Sequence, residues 1–164
     1  MNKTIIVILV ATPILAGLIW VAQPNIQSAE TVALSSNGEL IVEDSSNHDF
    51  GTISMRNGDV KHQFKIKNAS SEAVAINKMY TSCMCTTATL LIRAEEFGPY
   101  GMPGHGAIPK INQVVNPGEA VIVEVVFDPK AHGPAGVGRI ERAVTLENNT
   151  GTPLELRFLA MVTP

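Results

Sequence analysis

Basic runs are missing from this sequence. Lysine and arginine together number 12 against 15 acidic residues, the net charge is −3, and no stretch concentrates positive charge. Nucleic-acid surfaces carry a basic stripe or patch, so that class of partner is excluded. Aromatic residues are scarce as well: one Trp, two Tyr and five Phe give no ladder on which bases could stack. Cysteine is limited to two residues, which rules out a multi-bridge secreted framework. Nucleophile-elbow, Walker, dinucleotide-binding and His-Glu-x-x-His motifs are all lacking. No catalytic residue is assigned, and the chain is expected not to be an enzyme.

Charge is also absent from Thr4 to Ala22, a mostly apolar stretch behind Lys3. About 20 such residues span a bilayer as a helix. Pro13 and Gly17 are tolerated there, and Trp20 sits where interfacial aromatics belong. An uncleaved signal anchor is the favoured reading. A cleavable signal peptide is the alternative, although its exit offers Ala29 with Gln27 at the minus-three position. Residues 1–22 are therefore read as anchor or signal peptide, 23–37 as a polar linker and 38–164 as one folded domain. The expected location is outside the cytoplasm, periplasmic or at the cell surface, tethered to the membrane.

From Glu39 onward the hydrophobic period is two. Val60, His62, Phe64 and Ile66 share one face of a strand and Lys61, Gln63, Lys65 and Lys67 the other. Val121, Val123, Val125 and Phe127 alternate in the same way, as do Leu154, Leu156, Phe158, Ala160 and Val162. Ile140, Arg142, Val144 and Leu146 do so less cleanly. Turn signals separate these runs, among them Arg56-Asn-Gly-Asp59, Asn116-Pro-Gly118 and Asn148-Asn-Thr-Gly151. Some seven short strands with such punctuation predict an all-β, antiparallel β-sandwich of immunoglobulin type. Phe97-Gly-Pro-Tyr-Gly-Met-Pro-Gly-His-Gly106 breaks the pattern and predicts a long loop in place of a strand.

Phe50-Gly51-Thr-Ile53, Val60-x-His62-x-Phe64-x-Ile66-x-Asn68, Thr81-Ser-Cys-Met-Cys-Thr86, Asn116-Pro-Gly-Glu119 and Val125-Val-Phe-Asp-Pro129 follow one another in a recognisable order. Together they resemble a bacterial domain-of-unknown-function family whose core reads Ser-Cys-Gly-Cys-Thr. The resemblance covers about residues 39–162. It implies an immunoglobulin-like sandwich related to Hydin-type and major-sperm-protein-type modules, and it implies no activity. Met84 stands where that family usually has Gly, which makes a tight turn there less expected.

Cys83-Met84-Cys85 carries the chemistry the sequence offers. If extended, it projects both sulfurs from one face, with Cα atoms about 6.5 Å apart and nearly parallel Cβ vectors. That suits two thiolates gripping one soft ion. It suits a mutual bridge poorly, because disulfide Cβ atoms approach to about 4 Å. Sulfur ligands select Cu(I), and Met102 and His105 stand three apart in the glycine-rich loop that could close over the ion. The candidate metal set is Cys83, Cys85, Met102 and His105, with copper as the one cofactor considered. Two other readings stand beside it: small buried hydrophobes, or, in an oxidising compartment, a strained Cys83–Cys85 bridge or bonds to other chains. A Cys-x-Cys strand lacks the helix N-terminus that lowers thiol pKa in Cys-x-x-Cys oxidoreductases. His62 is read as a core histidine, His132 as an exposed turn histidine, and Arg139, Glu141 and Arg142 as a solvated strand face.

Two functions follow. In the first, the chain is a membrane-tethered module acting through protein–protein contacts with an unidentified envelope protein, recruited by β-addition to edge strands. In the second, it is an envelope Cu(I)-binding domain. No oligomeric state is implied by either.

Overall fold

A computed structural model describes residues 38–164. The expected anchor and linker, residues 1–37, lie outside the described residues. Among the described residues, no helix is long and apolar enough to cross a membrane.

Among the described residues, ten strands build two sheets. They are β1 (Leu40–Val42), β2 (Asn47–Ser54), β3 (Val60–Asn68), β4 (Val74–Thr81), β5 (Thr86–Ile92), β6 (Glu95–Tyr100), β7 (Gln113–Val115), β8 (Ala120–Phe127), β9 (Gly138–Asn148) and β10 (Leu154–Thr163). One sheet has the order β1-β3-β8-β5-β6 and the other β2-β10-β9-β4-β7. Short 3-10 turns at Met55–Asn57 and Gly133–Gly136 complete the description.

The period-two pattern accounts for the core. β3 and β8 pair with Phe64 opposite Val123 and Ile66 opposite Val121, so the apolar sets of both strands share one face. β9 and β10 pair with Val144 opposite Leu156 and Leu146 opposite Leu154, supplying the facing layer. Phe64, Ile66, Val123, Val125, Val144, Leu146, Leu156 and Phe158 are all buried. Each such side chain contributes roughly 1.5–3 kcal/mol when taken from water.

Three features depart from expectation. The sandwich is mixed, because β2 pairs parallel with β10. Parallel neighbours need a long crossover, and these two strands lie at opposite ends of the domain, so the whole domain serves as the connection. The glycine-proline stretch also begins inside a strand: β6 runs to Tyr100 and pairs with β5, with a register shift between Ala88 and Leu90. Proline is tolerated there because β6 is an edge. Gly98 is required at φ 132, where an added Cβ would meet the Ala88 carbonyl oxygen at 2.9 Å. The turn between β5 and β6 is tighter than its residues announce, for Arg93 and Ala94 both take positive φ, as a two-residue hairpin turn demands.

Two asparagines anchor turns in the same way. The Asn68 amide donates to Glu72 O at 2.7 Å and Val115 O at 2.9 Å, while its Oδ1 accepts from the Ser70 N–H and hydroxyl. Asn148 donates to Thr152 O at 2.9 Å and accepts from the Thr150 N–H and hydroxyl. The Asn-x-Ser and Asn-x-Thr patterns are thus turn-building devices, with both asparagines buried. Asn68→Ala leaves two carbonyls and a turn N–H without this partner. It is expected to cost about 2–3 kcal/mol in urea unfolding; a loss below about 0.5 kcal/mol would show that the turn holds itself.

His62 is not fully buried in the core. It is half-buried on β3 and stacks on His48 of β2, ring centroids 3.6 Å apart and planes at 10°. Phe64 and Phe50 meet it edge-on. Burial lowers its pKa, the facing His48 lowers it further, and Asp44 pulls weakly the other way. Below the unfolded value of about 6.5 the unfolded chain takes up a proton that the folded His62 resists. Stability is therefore expected to fall as pH drops through 6.5, until His62 also protonates in the fold. Chemical unfolding of His62→Phe between pH 7.5 and 5 should lose that decline; an unchanged slope would assign it elsewhere.

Candidate functional site

The register of two strand pairs assembles the site. Thr86 of β5 lies opposite Phe127 of β8, and the Asp128 N–H donates to Cys85 O at 2.9 Å. This brings the segment after β8 beside the cysteine turn. Asp128 closes its own turn, its Oδ1 accepting from Lys130 N at 2.7 Å. Two more backbone bonds, Ala131 N to Asp128 O and Gly133 N to Lys130 O, fold His132 back toward Cys83. On the other side, Thr81 of β4 lies opposite Val144 of β9. The Ser82 N–H donates to Ala143 O, and the Ala143 N–H donates to Ser82 Oγ, both at 2.9 Å. That fixes Arg142 against the same turn.

Cys83-Met84-Cys85 is not an extended strand. Ser82–Cys85 form a turn between β4 and β5, closed by Thr86 N to Cys83 O at 3.1 Å. The buried Thr81 hydroxyl sits between the carbonyls of Cys83 and Thr86, at 2.9 and 3.0 Å. Cys83 and Cys85 are joined by a disulfide, with Cα atoms 5.3 Å apart. The expected mismatch with a mutual bridge is thereby corrected: the strand geometry behind it does not exist here. Nor does the turn need glycine. The described non-glycine residues at positive φ are Arg93, Ala94 and Asn112, so Met84 takes its place at negative φ.

Charge and exposure around the bridge are uneven. His132 Nε2 lies 3.2 Å from Cys83 Sγ, and Arg142 Nε–H donates to Cys85 Sγ at 3.4 Å. Arg142 Nη1 also donates to Glu141 O at 2.8 Å. Cys83 is 7% exposed, Cys85 2% and Met84 52%, so the turn presents Met84 to solvent and keeps the sulfurs beneath it. The bridge spans a single intervening residue, so the entropy it removes from the unfolded chain stabilises by only roughly 1.5 kcal/mol.

The predicted ligand set is divided by this arrangement. Cys83 and Cys85 gather with His132, their ligand atoms all within 4.8 Å of one another. His105 does not belong to that group. It is exposed, and its N–H donates to Met102 O in a turn of the 101–112 connection, where Met102 is half-buried. Joined as a disulfide, the cysteines offer no thiolate to an ion. His132 is the exposed turn histidine that the sequence reading expected, but neither its contact with Cys83 nor that of Arg142 with Cys85 was foreseen. Arg142 carried a signal: it stands in phase with Ile140, Val144 and Leu146 on β9, where an apolar residue is expected, and is half-buried there. The His132 contact carried none, because only the β5–β8 register brings that turn to the cysteines.

A family model described as "Protein of unknown function (DUF1573)" matches residues 41–98, less than half of the chain. No curated protein matches it. A protein of unknown function from Porphyromonas gingivalis W83 is similar in fold, at 13% identity and a TM-score of 0.56. The similarity covers 82% of this chain and 51% of that one, so the chain spans about half the length of that relative. The ASH/PapD-like domain of human CEP192 aligns at 12% identity over 87% of this chain and 96% of that one, with a TM-score of 0.44. The CooA pilin subunit of enterotoxigenic Escherichia coli aligns at 11% identity over 78% and 99%, also with a TM-score of 0.44. The chain is accordingly a two-sheet β-sandwich similar over residues 41–98 to a family of unknown function.

Proposed function

We propose that the chain is a membrane-tethered module of the bacterial cell envelope that acts through protein contact, taking an extended partner segment along β2. One observation carries this reading. β2 is an eight-residue strand at the end of its sheet, and beside it lies a shallow depression lined by Gly51, Thr52, Arg139, Leu159 and Met161. Met161 is 45% exposed. Main-chain bonds to an edge strand supply affinity in β-addition, and side-chain recesses next to it supply selectivity. The other edges suit this less: β1 and β7 have three residues each, and β6 carries Glu95, Glu96 and Pro99. Gly51, at φ 67, sits where β2 shifts register against β10, which bends the strand and limits pairing with further copies. The tether is the uncharged segment from Thr4 to Ala22, read from sequence.

A photo-crosslinking residue at Thr52, in the native membrane, is expected to capture one discrete protein, while the same residue at the exposed Gln63 captures none. Met161→Lys should lower the yield about tenfold, equivalent to about 1.4 kcal/mol, without changing thermal stability. Equal labelling at both positions would end the reading.

A second reading concerns the reduced protein. Cys83, Cys85 and His132 then offer two thiolates and an imidazole in one place, a donor set for Cu(I). In Cu(I) competition against a chromogenic chelator, binding is expected only after reduction and about tenfold weaker in His132→Ala. Binding kept in His132→Ala but lost in Met102→Ala/His105→Ala would restore the loop ligands, and no competition at all would remove copper.

A further inference from the structure

The bridge between Cys83 and Cys85 does little for chain entropy, yet two side-chain nitrogens lie against it. Arg142 is the less expected of the two. At its position on β9 the neighbours in phase are apolar. Its Nε–H lies 3.4 Å from Cys85 Sγ, while His132 Nε2 lies 3.2 Å from Cys83 Sγ. Each sulfur thus has a side-chain nitrogen beside it, and Cys83 Sγ also accepts from the Cys85 N–H at 3.3 Å. The two sulfurs become negative when a disulfide is reduced, and a permanent cation such as the Arg142 guanidinium lowers a thiol's pKa from its ordinary value of about 8.5, while an imidazole N–H can donate to a thiolate. The one carboxylate on the adjoining turn, Asp128, is turned to Lys130 N.

We propose that Cys83–Cys85 is a reversible thiol–disulfide exchange site, with Arg142 and His132 as positioning residues that hold the two thiolates. This inference is independent of the contact surface on β2. A partner thiolate attacks Cys83 Sγ, on the more exposed of the two residues. A bond forms between the two sulfurs, the Cys83–Cys85 bond breaks, and Cys85 leaves as a thiolate beside the Arg142 guanidinium. A second partner thiolate then attacks the partner's sulfur in the mixed disulfide and releases Cys83 as a thiolate beside His132. Two electrons pass to the Cys83–Cys85 pair, and the two partner thiols end as one disulfide. The reverse sequence, driven by a partner disulfide, restores the bridge. The turn suits both states because Thr81, Ser82 and Thr86 hold it through hydrogen bonds that do not involve sulfur.

The full chain, in detergent, tests this with dithiothreitol and glutathione as probes. Alkylation with iodoacetamide against pH, read by mass spectrometry, reports each thiol, and far-UV circular dichroism reports the fold. The expected results are reduction with the fold intact, both thiols titrating below about 8.5, and re-oxidation by oxidised glutathione. Arg142→Gln should raise the Cys85 midpoint by about one pH unit, a roughly tenfold loss of thiolate at pH 7, and Arg142→Lys should recover part of it. His132→Gln, at an exposed position, should act in the same way on Cys83. The proposal is overturned if the bridge yields to dithiothreitol only on unfolding, or if the wild-type thiols titrate at their ordinary value. It is equally overturned if His132→Gln and Arg142→Lys leave both midpoints where they were. Because the wild-type titration decides by itself, misfolding of Arg142→Gln would not rescue the idea.

Discussion

The pairing of β5 with β8 is the constraint on which the rest of the molecule depends. Thr86 opposite Phe127 and Leu90 opposite Val123 put the apolar faces of both strands on one side, and β3 continues that face across β8. A slip of one residue would turn every one of those side chains outward. The same register brings the end of β8 against the turn before β5, so core packing and site assembly are set together. Phe127 marks the junction: its ring lies 5.4 Å from Phe158 of the opposite sheet, only a few residues from the disulfide.

Polar groups hold the periphery of this core. Asn68 and Asn148 nail two turns with nearly superimposable hydrogen-bond sets. Glu119 does comparable work at the turn before β8. Its Oε2 accepts from Arg93 at 2.8 Å and from the Asn116 N–H at 2.8 Å, which hold its carboxyl below the usual carboxylate range. That support is present above the ordinary carboxylate pKa and disappears as pH falls through the lowered one. The His48–His62 stack closes the side where the chain passes from β1 in one sheet to β2 in the other, with Phe50 and Phe158 behind it. That closure weakens on acidification, so the two titrating regions act in the same direction.

The two proposed sites lie where this framework departs from plain packing. At one end, a turn buries two sulfurs under an exposed methionine and sets a histidine and an arginine against them. Along one edge, β2 offers an eight-residue strand beside an exposed methionine. The first is a matter of sulfur chemistry and the second of contact, and neither needs the other.

Alternation of apolar residues was enough to read β3, β8, β9 and β10 and to infer two facing sheets, because period-two burial leaves its mark on every strand of a sandwich. The parallel docking of β2 on β10 was not legible, since it joins the two ends of the domain and depends on no short-range signal. The cysteine pair was found at once, but its geometry was misjudged: whether Cys-x-Cys is strand or turn is decided by hydrogen bonds from Thr81, Ser82 and Thr86, which local spacing does not reveal. Met102 and His105 were joined to it on their ligand chemistry and three-residue spacing, and strand register sets His132 and Arg142 against the cysteines. Residue chemistry and period are properties of the chain and determine what can be buried and what can react. Which nitrogen meets which sulfur is a property of register between strands far apart in sequence, and only the tertiary structure decides it.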